Sequence, residues 1–267
     1  MSETLADTEV EQVLRKGELT LDGRLLSASN ATFVGRSTLE NVSVECVYKP
    51  VRGEKPLWDF PDGTLAGREV AAHLVSELAG WGLVPVTVLT EGPFGPGMAQ
   101  RWIDEVDDAG LVDIVSSNDL PAGWLHVLDA VDVSDRQVSL VHADVPALRS
   151  MSILDAVINN ADRKGGHVLL DAQGRVHGCD HGVTMHVEDK LRTVLWGWAG
   201  EPLAEADVEA LDRLTSRLGE TQVSDRLCEL LTGPEVTALR RRVRRLLRNG
   251  VHPFPSRNWP AIPWPAF

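Results

Sequence analysis

The chain has 267 residues, 43% of them hydrophobic, enough to bury one large core or two smaller ones. A formal net charge of −13 and a pI near 5.0 exclude a general nucleic-acid binder, because phosphate would be repelled over most of the surface. Any polyanionic ligand must be held by a local site. Cys46, Cys179 and Cys228 are far apart and form no CxxC pair, which argues against a disulfide framework or a structural zinc site and fits a reducing cytoplasm. The opening "MSETLADTEVEQVLRKGELT" is acidic, without an apolar core of signal-peptide length, and no run of about 18 apolar residues follows. A cytoplasmic protein with no transmembrane segment is expected. Only five lysines (16, 49, 55, 164 and 190) stand against 21 arginines.

Residues 5 to 16 read as a short helix, and "GELTLDGRLLSASNATFVGRSTLENVSVECVYKP" as several strands between polar turns. In "VSVECVY", Val42, Val44, Cys46 and Tyr48 alternate with their neighbours as in a half-buried strand that Lys49 and Pro50 close. "GEKPLWDFPDG" is a loop. From Thr64, Val70, Leu74 and Leu78 share one helical face up to Gly80, and "LVPVTVL" and "MAQRWID" follow as strands around the turn "EGPFGPG". Residues 1–103 thus predict a small, mainly β lobe with one helix. Residues 104–267 predict a larger, mainly helical lobe, with periodic faces at Ala147, Met151, Leu154 and Ile158, at Val208, Leu211, Leu214 and Leu218, and at Leu239, Val243 and Leu246. The tail "HPFPSRNWPAIPWPAF" cannot form a regular helix and is expected to wrap an apolar surface.

The segment "HVLLDAQGRVHGCD" predicts a hairpin turning at "DAQG". Pairing Leu170 with Arg175 sets Asp180 opposite Gly165 and diagonally near His167. Two potential metal ligands, His167 and Asp180, then converge just after a loop that exposes Asp162. Phosphoryl transfer requires this kind of arrangement: one carboxylate orients the nucleophile while other groups hold the divalent ions that bridge the phosphates.

"NNADRKGGHVLL" and "CDHG" resemble the catalytic loop and the metal-binding Asp-x-Gly of the phosphatidylinositol 3/4-kinase-like branch of the protein-kinase-like superfamily, which includes type II phosphatidylinositol 4-kinases and HipA-type kinases. "VYKP" is similar to the nucleotide-lysine strand, and "REVAAHLVSELAGWGLVPVTVL" to the glutamate-bearing helix and the strand after it. The motifs occur in order over roughly residues 29 to 185. The resemblance implies a two-lobed α+β kinase-like fold and an ATP-dependent phosphotransferase using Mg²⁺ or Mn²⁺. It implies that Lys49 pairs with the ATP phosphates and with Glu69, that Asp162 is the catalytic aspartate followed by Arg163, and that Asp180 binds metal. The loop "SASNAT", with Ser29 and Asn30, would cover the phosphates, and "QRWID", with Gln100 and Trp102, would be the adenine-contacting hinge. His167 stands where the family has asparagine, and imidazole is a softer ligand than an amide oxygen, which favours Mn²⁺ over Mg²⁺ or one ion over two. The acceptor is left open between lipid, protein and small molecule.

Two other readings stand beside this one. A pseudokinase would bind nucleotide without turnover. A metal-dependent hydrolase would use the His/Asp cluster as zinc ligands, but His177 and His181 share strand parity and Asp180 has the opposite one, and no HExxH motif occurs. His177, His181 and His186 are then surface or supporting residues, and Trp196 and Trp198 core. The run "RRRVRRLLR" admits peripheral contact with anionic lipid. The preferred alternative is a helix whose arginines pair with this acidic protein.

Overall fold

The computed structural model describes residues 5–26, 30–57, 60, 64–106 and 110–267. Helix α1 (Asp7–Lys16) packs Val10, Val13 and Leu14 on the outer face of an antiparallel sheet. The sheet contains β1 (Glu18–Arg24), β2 (Phe33–Leu39), β3 (Val42–Pro50), β4 (Thr87–Gly92) and β5 (Gly95–Arg101), in the order β1-β2-β3-β5-β4. Val44, Cys46 and Tyr48 of β3 join the α1 core, so the period-2 alternation turns Val47 and Lys49 to the opposite face.

Helix α2 (Leu65–Ala79) starts where the Thr64 hydroxyl accepts from the Gly67 N–H and the Glu54 carboxylate accepts from the N–H groups of Leu65 and Ala66. These satisfy orphan donors of its first turn and place negative charge at the favourable dipole end. Gly80 ends it at φ 75°, a left-handed cap that suits glycine. α2 is buried on nearly every side. Ala66, Val70 and Met98 hold it to the sheet, while Ala71, Leu74, Val75 and Leu78 belong to the large core shared with the helices that follow.

The expectation of helices directly after residue 104 needs correction. β6 (Val112–Ser116), β7 (Trp124–Val131) and β8 (Gln137–Ala143) form a separate three-stranded antiparallel sheet, ordered β6-β8-β7. Its β7–β8 turn is built by Asp132, whose carboxylate accepts from the Ser134 and Arg136 N–H groups. The helical part then runs through α3 (Pro146–Ile158), α4 (Glu205–Leu218), α5 (Thr221–Leu230) and α6 (Gly233–Asn249). The molecule is α+β, with a β-rich N-terminal region and a C-terminal part that is mainly helical beyond its own small sheet.

Between α3 and α4 lies the hairpin β9 (Val168–Leu170) and β10 (Val176–Gly178). Its register is one residue from the expected one, since Leu170 pairs with Val176. The turn takes in only Ala172, Gln173 and Gly174. Asp171 closes against Arg175, its carboxylate accepts from the Gln173 and Arg175 N–H groups, and Gly174 adopts φ 75°.

Leu239, Val243 and Leu246 of α6 are buried as expected, and Arg242 is buried with them, donating to the carbonyls of Val157 and His186. Arg240, Arg241 and Arg245 bond to Leu218, Val187 and Asp189. The run therefore works largely as internal fastening. Trp196 and Trp198 are core residues. The tail does wrap the C-terminal region: the Ala261 carbonyl accepts from the Thr193 N–H and Trp196 Nε1, and the Ala266 carbonyl from the Gly165 N–H. Among the described residues no helix is long and apolar enough to cross a membrane.

One buried ion pair locks α2 to α6. Arg68, 2% exposed, donates to the Glu235 carboxylate of the α6 capping box and to the carbonyls of Thr64 and Thr184. Glu235→Ala removes a carboxylate bonded to a buried guanidinium and is expected to lower unfolding stability by about 3–5 kcal/mol in urea titrations. A loss below about 1 kcal/mol would contradict this role.

Candidate functional site

A cleft of about 430 Å³ opens between the inner face of β3, the start of α2 and the loops around the β9–β10 hairpin. Lys49 reaches into it. Its Nζ lies 2.7 Å from Glu69 Oε1 on α2 and 2.7 Å from Asp180 Oδ1 beyond β10, so one ammonium joins three separate elements. Burial alone would discharge Lys49, but the two carboxylates hold it firmly protonated. The same ammonium keeps the Asp180 carboxyl well below the usual carboxylate range against the effect of burial, whereas burial pushes Glu69 up. The second oxygen of Glu69 accepts from the His181 N–H at 2.7 Å. Asp180 sits at φ 58°, a left-handed conformation that aspartate adopts more readily than most non-glycine residues.

Asp162 follows α3 on a loop fixed at every step. Asn159 caps the helix at φ 55°, its amide bonding to the His186 and Glu188 carbonyls and to the Lys190 N–H. Asn160 accepts from the Asp162 N–H and donates to Asp155. Arg163 turns away from the cleft. Wholly buried, it donates to Asp155, to the carbonyls of His167 and Cys179 and, at 2.7 Å, to His181 Nε2. It therefore positions the loop and cannot touch a ligand in the cleft, a correction to the catalytic role that the Asp-Arg resemblance implied. Asp162 itself is half-buried, with Lys164 Nζ 3.5 Å from Oδ2. Burial raises its pKa against the nearby Lys164, which suits a proton acceptor.

His167 and Asp180 converge as expected despite the register shift, with Nε2 3.4 Å from Oδ2. The other ring nitrogen lies 3.0 Å from the Asp162 carbonyl, and burial lowers the imidazole pKa to about 4. A neutral ring that donates through Nδ1 to a carbonyl offers Nε2 as an acceptor, the usual arrangement of a metal-ligating histidine. Asp180 and His167 therefore fit a divalent cation. Among the described residues no group of three or more His, Cys, Asp or Glu is placed to hold one. A zinc hydrolase normally uses three protein ligands, and His177 is engaged instead with Asp171 at 3.1 Å.

The remaining expectations divide. Asn30 lines the cleft, and its Oδ1 accepts from the Lys55 N–H. Ser29 lies outside the described residues. Gln100 and Trp102 do not line the cleft: Gln100 is 5% exposed and donates to Thr87, while Trp102 gives its N–H to Glu45 and its indole N–H to Asp104. Sequence reasoning missed Asp155 and Thr193, which orient Arg163 and the loop, while His181, expected at the surface or in support, is buried and bonded to Arg163. A carboxylate within the apolar run "SILDAVI" was the available signal.

The chain is 50% identical over 273 residues to Protein Rv2133c of Mycobacterium tuberculosis, covering 99% of this chain and 97% of that protein. It belongs to the Rv2133c family. No family model matches. Among solved structures, the Golgi casein kinase superposes on this Rv2133c-family chain with a TM-score of 0.55 at 13% identity, over 91% of this chain and 74% of that one. The fold is protein-kinase-like. The Helicobacter pylori proinflammatory kinase CtkA aligns with a TM-score of 0.44 at 12% identity, over 89% and 94% of the two chains.

Five histidines make stability depend on pH. His167 and His252 are lowered to about 4, His181 well below the usual imidazole range, and His73 and His142 are lowered too, in each case chiefly by burial. The unfolded chain then binds more protons between about pH 6.5 and 4, so stability is full above that window and falls as pH drops through it. The thermal midpoint is expected to fall steadily from pH 6.5 to 4, and an unchanged midpoint would refute the neutral-histidine assignments.

Proposed function

We propose that this protein is an ATP- and divalent-metal-dependent phosphotransferase with its nucleotide phosphates beside Lys49. The observation that carries the proposal is the Lys49 ammonium shared at 2.7 Å by Glu69 and Asp180, which presents a fixed cation and an ionised carboxylate to one cleft. Asp162 accepts the proton of the acceptor hydroxyl. That oxygen bonds to the γ-phosphorus, the bond to the β–γ bridging oxygen breaks, and ADP leaves with the electron pair. Asp180 and His167 would hold Mg²⁺ or Mn²⁺, whose chemistry is to neutralise phosphate charge. Arg163 positions the loop, and Asn30 stands at the phosphate cover.

The adenine would lie under Val34 and Val47, paired neighbours of β2 and β3. It would rest above Leu169, which alternates with Val168 and Leu170, the two β9 residues on the large core. The segment of residues 102 to 106 runs beside it, with the Trp102 and Val106 N–H groups bonded to the carbonyls of Glu45 and Leu170. On this reading that segment is the boundary between a nucleotide-binding lobe, 1–103, and a catalytic lobe, 104–267. The order of motifs supports kinship with phosphatidylinositol 3/4-kinase-like enzymes in the nucleotide site, without specifying a lipid acceptor.

ATP with Mn²⁺ or Mg²⁺ at about 100 times Kd should stabilise the fold by about 2.7 kcal/mol, read as a rise in Tm over metal alone. Asp180→Ala is expected to abolish that rise. Asp162→Asn should keep it and slow transfer by about 10²-fold or more. No rise with either metal, or undiminished transfer in Asp162→Asn, would overturn the proposal. Nucleotide binding without transfer to any acceptor would favour the pseudokinase reading, to which the His167 substitution points.

A further inference from the structure

Lys49, Lys55 and Lys164 are three of only five lysines in a chain of net charge −13, and all three line the same cleft. Lys49 is neutralised by Glu69 and Asp180, and Lys164 faces Asp162. Arg192 is different. It lines the cleft half-buried, with Cζ 5.4 Å from the centre of the Trp259 ring, and its Nε donates at 2.6 Å to the Ala161 carbonyl. Its charge acts on the nearby Asp162 carboxylate, but among the described residues no carboxylate is ion-paired with it and neither terminal amino group has a protein acceptor. The buried guanidinium groups of Arg68 and Arg163, by contrast, are matched by Glu235 and Asp155. The two terminal amino groups are left to water or to a ligand in the cleft. The fork geometry suits the paired oxygens of phosphate or carboxylate.

We propose that this end of the cleft is an anion subsite, formed by Arg192, Lys55 and Lys164 against the wall of Trp259, that takes a hydroxyl compound carrying a phosphate or carboxylate group. Its role as the acceptor subsite rests on the phosphotransfer reading above. The anionic group docks on Arg192, its hydroxyl oxygen bonds to the γ-phosphorus, the hydroxyl proton passes to Asp162, and ADP departs with the electrons of the broken P–O bond. Trp259 belongs to the C-terminal tail, which is hydrogen-bonded to Thr193 and Gly165 beside the Asp162 loop, so the tail is part of the acceptor wall.

The test is calorimetric titration of the full chain with inorganic phosphate, with and without a saturating non-hydrolysable ATP analogue and Mn²⁺. Saturable phosphate binding that survives the analogue is expected. Arg192→Gln and Lys55→Gln should each weaken it about tenfold while leaving the analogue's affinity within about twofold. Lys55 is exposed, so its variant remains informative if Arg192→Gln unfolds. No saturable binding, unchanged binding in both variants, or displacement of phosphate by the analogue would overturn the subsite. Phosphate binding that depends on Arg192 without any nucleotide binding would uphold the subsite and defeat the phosphotransfer reading. Parallel titrations with glycerol 3-phosphate, and with phosphatidylcholine vesicles with and without phosphatidylinositol, distinguish a soluble source from a headgroup. Tighter binding of either than of inorganic phosphate supports the subsite, and weaker binding of both counts against an acceptor role.

Discussion

A single ammonium group, Lys49 Nζ, is the point on which the cleft depends. It ties the inner face of the sheet to α2 through Glu69 and to the loop beyond β10 through Asp180. Remove it, and two carboxylates would face each other across a partly buried space, a repulsion that only protonation, separation or a metal ion could relieve. The shared cation thus sets the spacing of the cleft and keeps Asp180 ionised.

The helix that brings Glu69 to this ammonium is held on all sides. Its first turn is capped by Thr64 and Glu54, its apolar residues enter both the sheet core and the large helical core, and Arg68 is bonded to Glu235. Movement of α2 away from Lys49 would break a buried ion pair and expose core residues, so the Lys49–Glu69 contact is built as a permanent feature of the fold. Behind the Asp162 loop, Asp155 and Arg163 provide the same kind of constraint, with every element of the loop referred to one buried guanidinium.

Much of this arrangement was legible in the sequence because it follows from short-range pattern. The alternation of Val44, Cys46 and Tyr48 fixed the face on which Lys49 emerges, and Gly80 marked the end of α2. The hairpin was legible, but its register was not: the Asp171 side chain imitates a backbone turn, so Asp171 closes against Arg175 over three residues and Leu170 pairs one residue further on. The small sheet of β6, β7 and β8 was missed because β8 is buried along most of its length and lacks the alternation that marks a half-exposed strand. Asp155, His181 and Arg192 gain their roles from contacts distant in sequence, which no local pattern encodes.

The tail and the segment around Arg192 complete the cleft from the C-terminal part. We place the nucleotide phosphates beside Lys49, Glu69 and Asp180, and the anion of the acceptor beside Arg192 and Trp259. The central claim concerns the first. Its most direct measurement is the Kd of a non-hydrolysable ATP analogue with Mn²⁺ for the intact chain and for Lys49→Met, each checked for folding by circular dichroism. The account predicts one-to-one binding that weakens about tenfold or more in the variant. Equal affinity in two equally folded proteins would contradict it.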